Sequence, residues 1–284
     1  MRELMGTVAI LDVRDELPIE DIEAVCKSTL DHLEEIEAVF STYRPDSEIN
    51  RLGRGELSEQ DASPWVHEVL ELCETVRAAS GGAFDIRRAA ENSPAVQHQG
   101  GAGVVPIEPS GMVKGWAIDR AVDVMRSGGL DNFTVNVGGD IYAAGYCDDA
   151  PWQIGLQHPS ESQMIMAVVK GSEFAVATSG AYERGAHIEM LPEVVALQSI
   201  TVVGPDVVLA DAYATAAFAM GTAGIEWVAG QSEFEVFAVT GEGEALMSAG
   251  MEHYLVLPPE LSEGAEDDNR GVLGSQEALS AHRE

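Results

Sequence analysis

The stretch "VLADAYATAAFAMGT", residues 208–222, reads as an otherwise apolar helix carrying an aspartate, Asp211, and a threonine, Thr215, one turn apart. Residues at i and i+4 share a helix face, so a carboxylate and a hydroxyl oxygen point the same way. Both are hard donors suited to magnesium rather than zinc, and the small neighbours Ala210, Ala212, Ala214 and Ala216 allow close backbone approach. A blander reading competes: Asp211 can favour the helix N-terminus, and Thr215 can bond back within its own helix. Spacing alone leaves both open.

Just upstream, "SITVVG" (199–204) predicts a strand; downstream, "FEVFAVTG" (234–241) and "EALMSAG" (244–250) predict a hairpin around Gly241 and Gly243. Five more short strands are expected upstream, in "FTVNV", "IYAAGY", "WQIGLQ", "MIMAVV" and "FAVAT", with turn signals between them. "SGMVKGWAIDRAVDVMRSGG" (110–129) reads as a glycine-rich turn feeding a helix that the last two glycines end. Nearer the start lie a strand in "GTVAILDV" (6–13) and a helix opened by Pro18 with apolar positions from Ile22 to Phe40, broken at Pro45. A second helix is capped by Ser63, begins at Pro64 and is closed by Gly81 and Gly82. Residues 91–109 show no period and read as a loop.

There is no internal repeat and no composition break within residues 1–257, so one α+β domain is the simplest account. Residues 258–284 are charged and poor in large apolar groups, which predicts an acidic, disordered tail. No apolar run is long enough for a signal or a membrane span, so a cytoplasmic protein is expected. A formal net charge of -32 repels nucleic acid and anionic lipid. Cys26, Cys73 and Cys147 are odd in number and far apart, which predicts buried reduced thiols rather than disulfides or a metal knuckle.

The chain has only three lysines, so an anionic ligand has few ammonium partners, and Lys114 stands out among them. Flanked by Gly111 and Gly115 at a helix start, it outlines a phosphate cradle, although a turn with a solvated lysine fits this stretch equally well. It is not a P-loop, since Gly115 occupies the place of the required serine or threonine. "VNVGGD" ends in Asp140, best read alone as a tight turn with an aspartate at its edge. "FAVATSGAYERGAHI" brings Ser179, Tyr182 and His187 past a strand end; one such histidine is more often a neutral donor than a base. No serine-hydrolase elbow, HExxH or dinucleotide GxGxxG occurs.

Taken in order, "MGT", "FSTYRPDSEINRL", "GGAFDI", "GMVKGWAID", "NVGGD", "TSGAY", "HI" and "ADAYATA" resemble the ApbE family, the FAD:protein FMN transferases, from residue 5 to about 240. The resemblance implies an ApbE-type α+β domain with mixed or antiparallel sheets packed with helices. It implies FAD as substrate, lined by Met5, Tyr43, Ala83, Phe84, Asp85, Glu108, Lys114 and Ile188, with Lys114 facing phosphate oxygens. It also implies Mg2+ held by backbone oxygens of Gly111 and Ala214, the Asp211 carboxylate and the Thr215 hydroxyl, with His187 as general base. The implied reaction moves FMN from FAD to a threonine or serine of an acceptor protein bearing an S/T-G-A-T motif, releasing AMP. FAD hydrolysis to FMN and AMP, or a non-catalytic flavin-binding module, are the alternatives.

The chain departs from the family pattern in places. Glu108 replaces the usual aspartate, "EMLPEV" stands where DPxTG usually follows "HI", and the lipoprotein signal of many members is missing. Only 22 residues separate Asp85 from Glu108, fewer than in the long family members, and together these departures imply a compact cytoplasmic version with a differently shaped loop near His187 and room for a different acceptor. "TSGAY" faintly resembles the acceptor signature, but Val176 stands in place of its aspartate and Tyr182 ends the run, which argues against self-modification at Ser179.

Overall fold

A computed structural model describes residues 1–88, 99, 106–161, 163–180 and 194–256. The strands in chain order are β1 (Arg2–Leu4), β2 (Thr7–Val13), β3 (Phe133–Val137), β4 (Asp140–Ala144), β5 (Tyr146–Cys147), β6 (Ala150–Gln157), β7 (Ile165–Gly171), β8 (Glu173–Gly180), β9 (Leu197–Gly204), β10 (Glu235–Thr240) and β11 (Ala245–Met247). The helices are α1 (Ile19–Phe40), α2 (Glu48–Gly53), α3 (Pro64–Ala79), α4 (Ser110–Ser127), α5 (Val207–Met220) and α6 (Ala223–Ala229). Eight strands form one sheet in the order β1-β2-β3-β4-β8-β9-β10-β11, and β5-β6-β7 form a smaller one. Every described pairing is antiparallel, which places the chain in the α+β class.

The large sheet buries both faces because its central strands are apolar at consecutive positions rather than alternate ones. Along β8, Ala175 and Ala177 join the core shared with α1, α4 and α5, whereas Phe174 and Val176 face the core shared with β6 and β7. On β9, Ile200 and Val202 take the helical side and Val203 the opposite side. Ser179 shares the parity of Ala175 and Ala177, so its side chain points toward the helices.

Helix α5 is buried nearly all round, with only Leu209, Tyr213 and Thr215 partly exposed. A helix apolar on every side belongs inside a core, and an aspartate there must find a partner. Its N-cap is Asp206, whose carboxylate accepts the Leu209 N–H at 3.0 Å, so Asp211 is not needed at the helix terminus.

Several local expectations change. Gly111 and Gly115 lie inside α4, which starts directly after Pro109, rather than in a turn before it. Pro64 does open α3, but the Ser63 side chain makes no cap bond; its backbone N–H donates instead to Glu48 Oε2 at 2.8 Å. Beyond Pro45 the chain forms α2, capped by Ser47, whose hydroxyl accepts the Asn50 N–H. Strand β1 and helix α6 carry too few residues for a periodic signal. All three cysteines are free, but only Cys73 is buried. No helix among the described residues is long and apolar enough to cross a membrane. The expected tail lies outside the described residues, as do most of the 91–109 loop, Tyr182, His187 and Ile188.

Candidate active site

Helices α4 and α5 cross where α4 has no side chains. A Cβ on Gly115 would stand 2.5 Å from the Val207 carbonyl oxygen, 2.9 Å from Asp211 Cβ and 3.0 Å from Val208 Cα. One on Gly111 would stand 2.8 Å from Thr215 Oγ1. Glycine is tolerated inside this helix because the tertiary contact outweighs its cost of about 1 kcal/mol in propensity. The same closeness lets the Gly115 N–H donate to Asp211 Oδ2 at 2.8 Å, with Asp211 only 3% exposed. Ser179 on β8 brings its hydroxyl to 3.5 Å from Thr215 Oγ1. Gly111, Asp211 and Thr215 therefore meet at one crossing, with Ala214 buried on the same helix.

A pocket lined by Met5, Thr42, Tyr43, Glu108, Ser110 and Lys114 among others shares helix α4 with the crossing, although Gly111, Asp211, Ala214 and Thr215 are not among its lining residues. Met5 sits at φ 54 and Gly6 at φ 70, the left-handed pair that a two-residue turn between β1 and β2 requires. Its segment is pinned by the Gly138–Gly139 turn. Gly138 has φ +63, a Cβ there would stand 2.9 Å from Thr7 Oγ1, and its N–H donates to the Val8 carbonyl at 3.2 Å. That turn leads into Asp140, which is wholly buried and takes the Lys114 ammonium on Oδ2 at 2.6 Å. Lys114 is thus paired rather than merely solvated, and Asp140 is more than a turn residue.

The wall formed by residues 41–44 is held by Asn50, which is wholly buried. Its Nδ2 donates to the carbonyls of Ser41, Thr42 and Arg44 at 3.2, 2.9 and 2.7 Å, and its Oδ1 accepts Gln99 Nε2 at 2.7 Å. Gln99 in turn brackets the Ile107 backbone, next to Glu108, so two buried amides tie opposite walls of the pocket together. Sequence reasoning missed this pair, since nothing in either residue's neighbourhood signals the other. Asn50→Ala is expected to cost about 2–4 kcal/mol in denaturant unfolding, because it removes the donor to three carbonyls, of which the Thr42 bond is buried, and leaves the buried Gln99 amide without its acceptor. A loss under about 0.5 kcal/mol would mean that water replaces the side chain without penalty.

Of the remaining predicted residues, Ala83 and Phe84 are buried and are not among the described residues that line this pocket. Asp85 accepts the Arg87 N–H at 2.9 Å, a local turn bond, and the stretch is tied to the pocket wall by the Glu108 N–H, which donates to the Ile86 carbonyl at 2.8 Å. His187 and Ile188 fall outside the described residues.

The side chains that the crossing brings together, the Asp211 carboxylate and the Thr215 hydroxyl, are oxygen donors of the kind a hard cation takes. Among the described residues there is no group of three or more histidine, cysteine, aspartate or glutamate side chains that could hold a metal ion, so a cation at the crossing would draw on Asp211 as its one carboxylate. Burial pushes the Cys73 thiol well above its ordinary value, Arg87 opposing and the Asp211 charge adding, so it is no thiolate ligand. The residues present fit magnesium.

These features define an α+β protein with an oxygen-lined helix crossing next to a charged pocket. The chain belongs to the ApbE family, whose sequence model matches residues 5–93 and 92–238. It is 27% identical over 186 residues to the FAD:protein FMN transferase of Vibrio cholerae, covering 53% of this chain and 56% of that protein. The Klebsiella pneumoniae protein of the same name is 23% identical over 299 residues, covering 84% of this chain and 83% of that protein. The alignments with the Vibrio cholerae and Escherichia coli relatives span about half of those proteins, 56% and 48%. In fold, the chain superposes on the flavin transferase ApbE of Vibrio cholerae with a TM-score of 0.72 at 22% identity, covering 89% of this chain and 97% of that one. The ApbE protein of Thermotoga maritima gives 0.73 at 20% identity, covering 90% and 98%.

Proposed function

We propose that this protein transfers FMN from FAD to a threonine or serine hydroxyl of an acceptor protein, with magnesium, and releases AMP. The observation that supports this reading is the crossing at Gly111 and Gly115, where Asp211 and Thr215 meet the same helix, α4, that carries Lys114 into a pocket. The names of the relatives support it as well.

In this reading Asp211, Thr215 and the backbone oxygens of Gly111 and Ala214 hold the cation. Bound there, magnesium supplies charge neutralisation and Lewis acidity at the phosphates. Lys114 orients the pyrophosphate from the first turns of α4, where helix N–H groups and the positive helix end also favour an anion. The pocket walls built from Met5, Thr42 and Tyr43 exclude water from one side of the ligand. The acceptor oxygen forms a bond to the FMN phosphorus as the anhydride bond to AMP breaks, and AMP departs with the bridging oxygen. His187 takes the proton of the acceptor hydroxyl. Ser179, 6% exposed and within β8, is poorly placed for this role. The acceptor in this reading is another protein, one bearing an S/T-G-A-T type motif.

Incubating the chain with FAD, magnesium and an acceptor domain bearing that motif tests the reading. A fluorescent acceptor band is expected. Free FMN without a labelled band would indicate hydrolysis, and unchanged bound FAD a binding module; either result overturns transfer. His187→Ala is expected to keep FAD affinity while slowing transfer by about 10²- to 10⁴-fold. Transfer at the unaltered rate would remove His187 as the base.

A further inference from the structure

We infer that Asp140 is the positioning residue for Lys114: a buried carboxylate on the sheet that holds the pocket's ammonium on the line it uses toward an anionic ligand. The inference rests on the FAD reading above, because it concerns the same pocket.

A lysine reaches its target on a flexible stem of four carbons, and holding that stem in one rotamer costs up to about 2 kcal/mol of entropy. In this pocket the problem is sharper, since Glu37 and Glu108 also line it and either would attract a wandering ammonium. Asp140 differs from both in being 0% exposed and rigidly held. The β4–β8 ladder ends at the Ile141–Val176 pair, because the next residues of the β4 side turn away at Gly138 and Gly139, with φ of +63 and +96. The Thr178 N–H, which faces that vacated position, is taken by Asp140 Oδ1 at 3.0 Å. This bond fixes the carboxylate plane, and Oδ2 meets Lys114 Nζ at 2.6 Å.

The pair spans two layers, since Asp140 belongs to the sheet and Lys114 to α4. Lys114 is 14% exposed at its side chain and Asp140 1%, so each charge has given up most of its water. A buried acid whose second oxygen is already committed to a backbone N–H acts as a fixed anchor, not as a group that swings with the ligand.

A double-mutant cycle on the full chain tests this. FAD affinity is measured by flavin fluorescence titration at saturating magnesium for the wild type, Asp140→Asn, Lys114→Met and the double variant. Asp140→Asn, which keeps an oxygen for the Thr178 N–H, is expected to weaken FAD binding about tenfold when Lys114 is present. Added to Lys114→Met, it is expected to change binding less than about twofold. Equal losses in both backgrounds would show a purely structural role and overturn the inference; so would no loss, or a gain, in the lysine background.

Thermal unfolding of the four proteins supplies a readout independent of ligand. Lys114→Met is expected to lower the Tm by leaving the carboxylate unpaired, and adding Asp140→Asn to raise it again; a further drop would contradict the pairing. If the wild type fails to bind FAD at all, the transfer reading is what falls, whereas wild-type binding without coupling sinks only the role of Asp140.

Discussion

Asp211→Asn is expected to fold as the wild type does and to lose magnesium-dependent FMN transfer by about a thousandfold. The asparagine carbonyl can still accept the Gly115 N–H that Asp211 Oδ2 takes at 2.8 Å, so the helix crossing survives while the negative charge does not. Asp211→Ala is expected to lose the same activity and, in addition, about 1–2 kcal/mol of stability, because the buried hydrogen bond between the two helices is lost. Comparing the two variants by denaturant unfolding and by transfer rate separates the structural part of this residue from its chemical part. Near-normal transfer by Asp211→Asn would remove its charge from the site.

Gly115→Ala is expected to destabilise the fold by about 3 kcal/mol and to abolish transfer, since the new methyl would meet backbone atoms of α5 rather than a side chain able to rotate away. The Val207 carbonyl oxygen at 2.5 Å and Val208 Cα at 3.0 Å move only if the whole helix moves, and that shift would carry Asp211 and Thr215 with it. Gly111→Ala is the milder neighbour, because its obstacle is the Thr215 side chain. Unfolding midpoints for the two variants check the order, and a stability loss for Gly115→Ala under about 1 kcal/mol would show that the helices can separate without strain.

The elements with a strong period were legible in the sequence. Helices α1, α3 and α5 and the β10–β11 hairpin stand where their apolar spacing and turn residues put them. The glycines of α4 were misread as a turn because propensity was the only local guide, and the reason for tolerating them lies on a different helix far along the chain. The same distance hid the partners. Lys114 was singled out for being one of few lysines, but its carboxylate, Asp140, sits on a strand whose turn looked self-sufficient. Asn50 and Gln99 meet only in the folded chain. Asp211 and Thr215 could be paired from spacing because both lie on one helix, where periodicity is itself geometry.

The central claim is that Asp211 and Thr215, with the backbone at Gly111, hold a divalent cation against the phosphates of FAD. The most direct measurement is the anomalous difference map of crystals soaked with FAD and Mn2+ in place of Mg2+. A peak within coordination distance of an Asp211 carboxylate oxygen and Thr215 Oγ1, touching the pyrophosphate, is the predicted result. Bound FAD with the peak elsewhere, or with no peak at this crossing, would contradict the account.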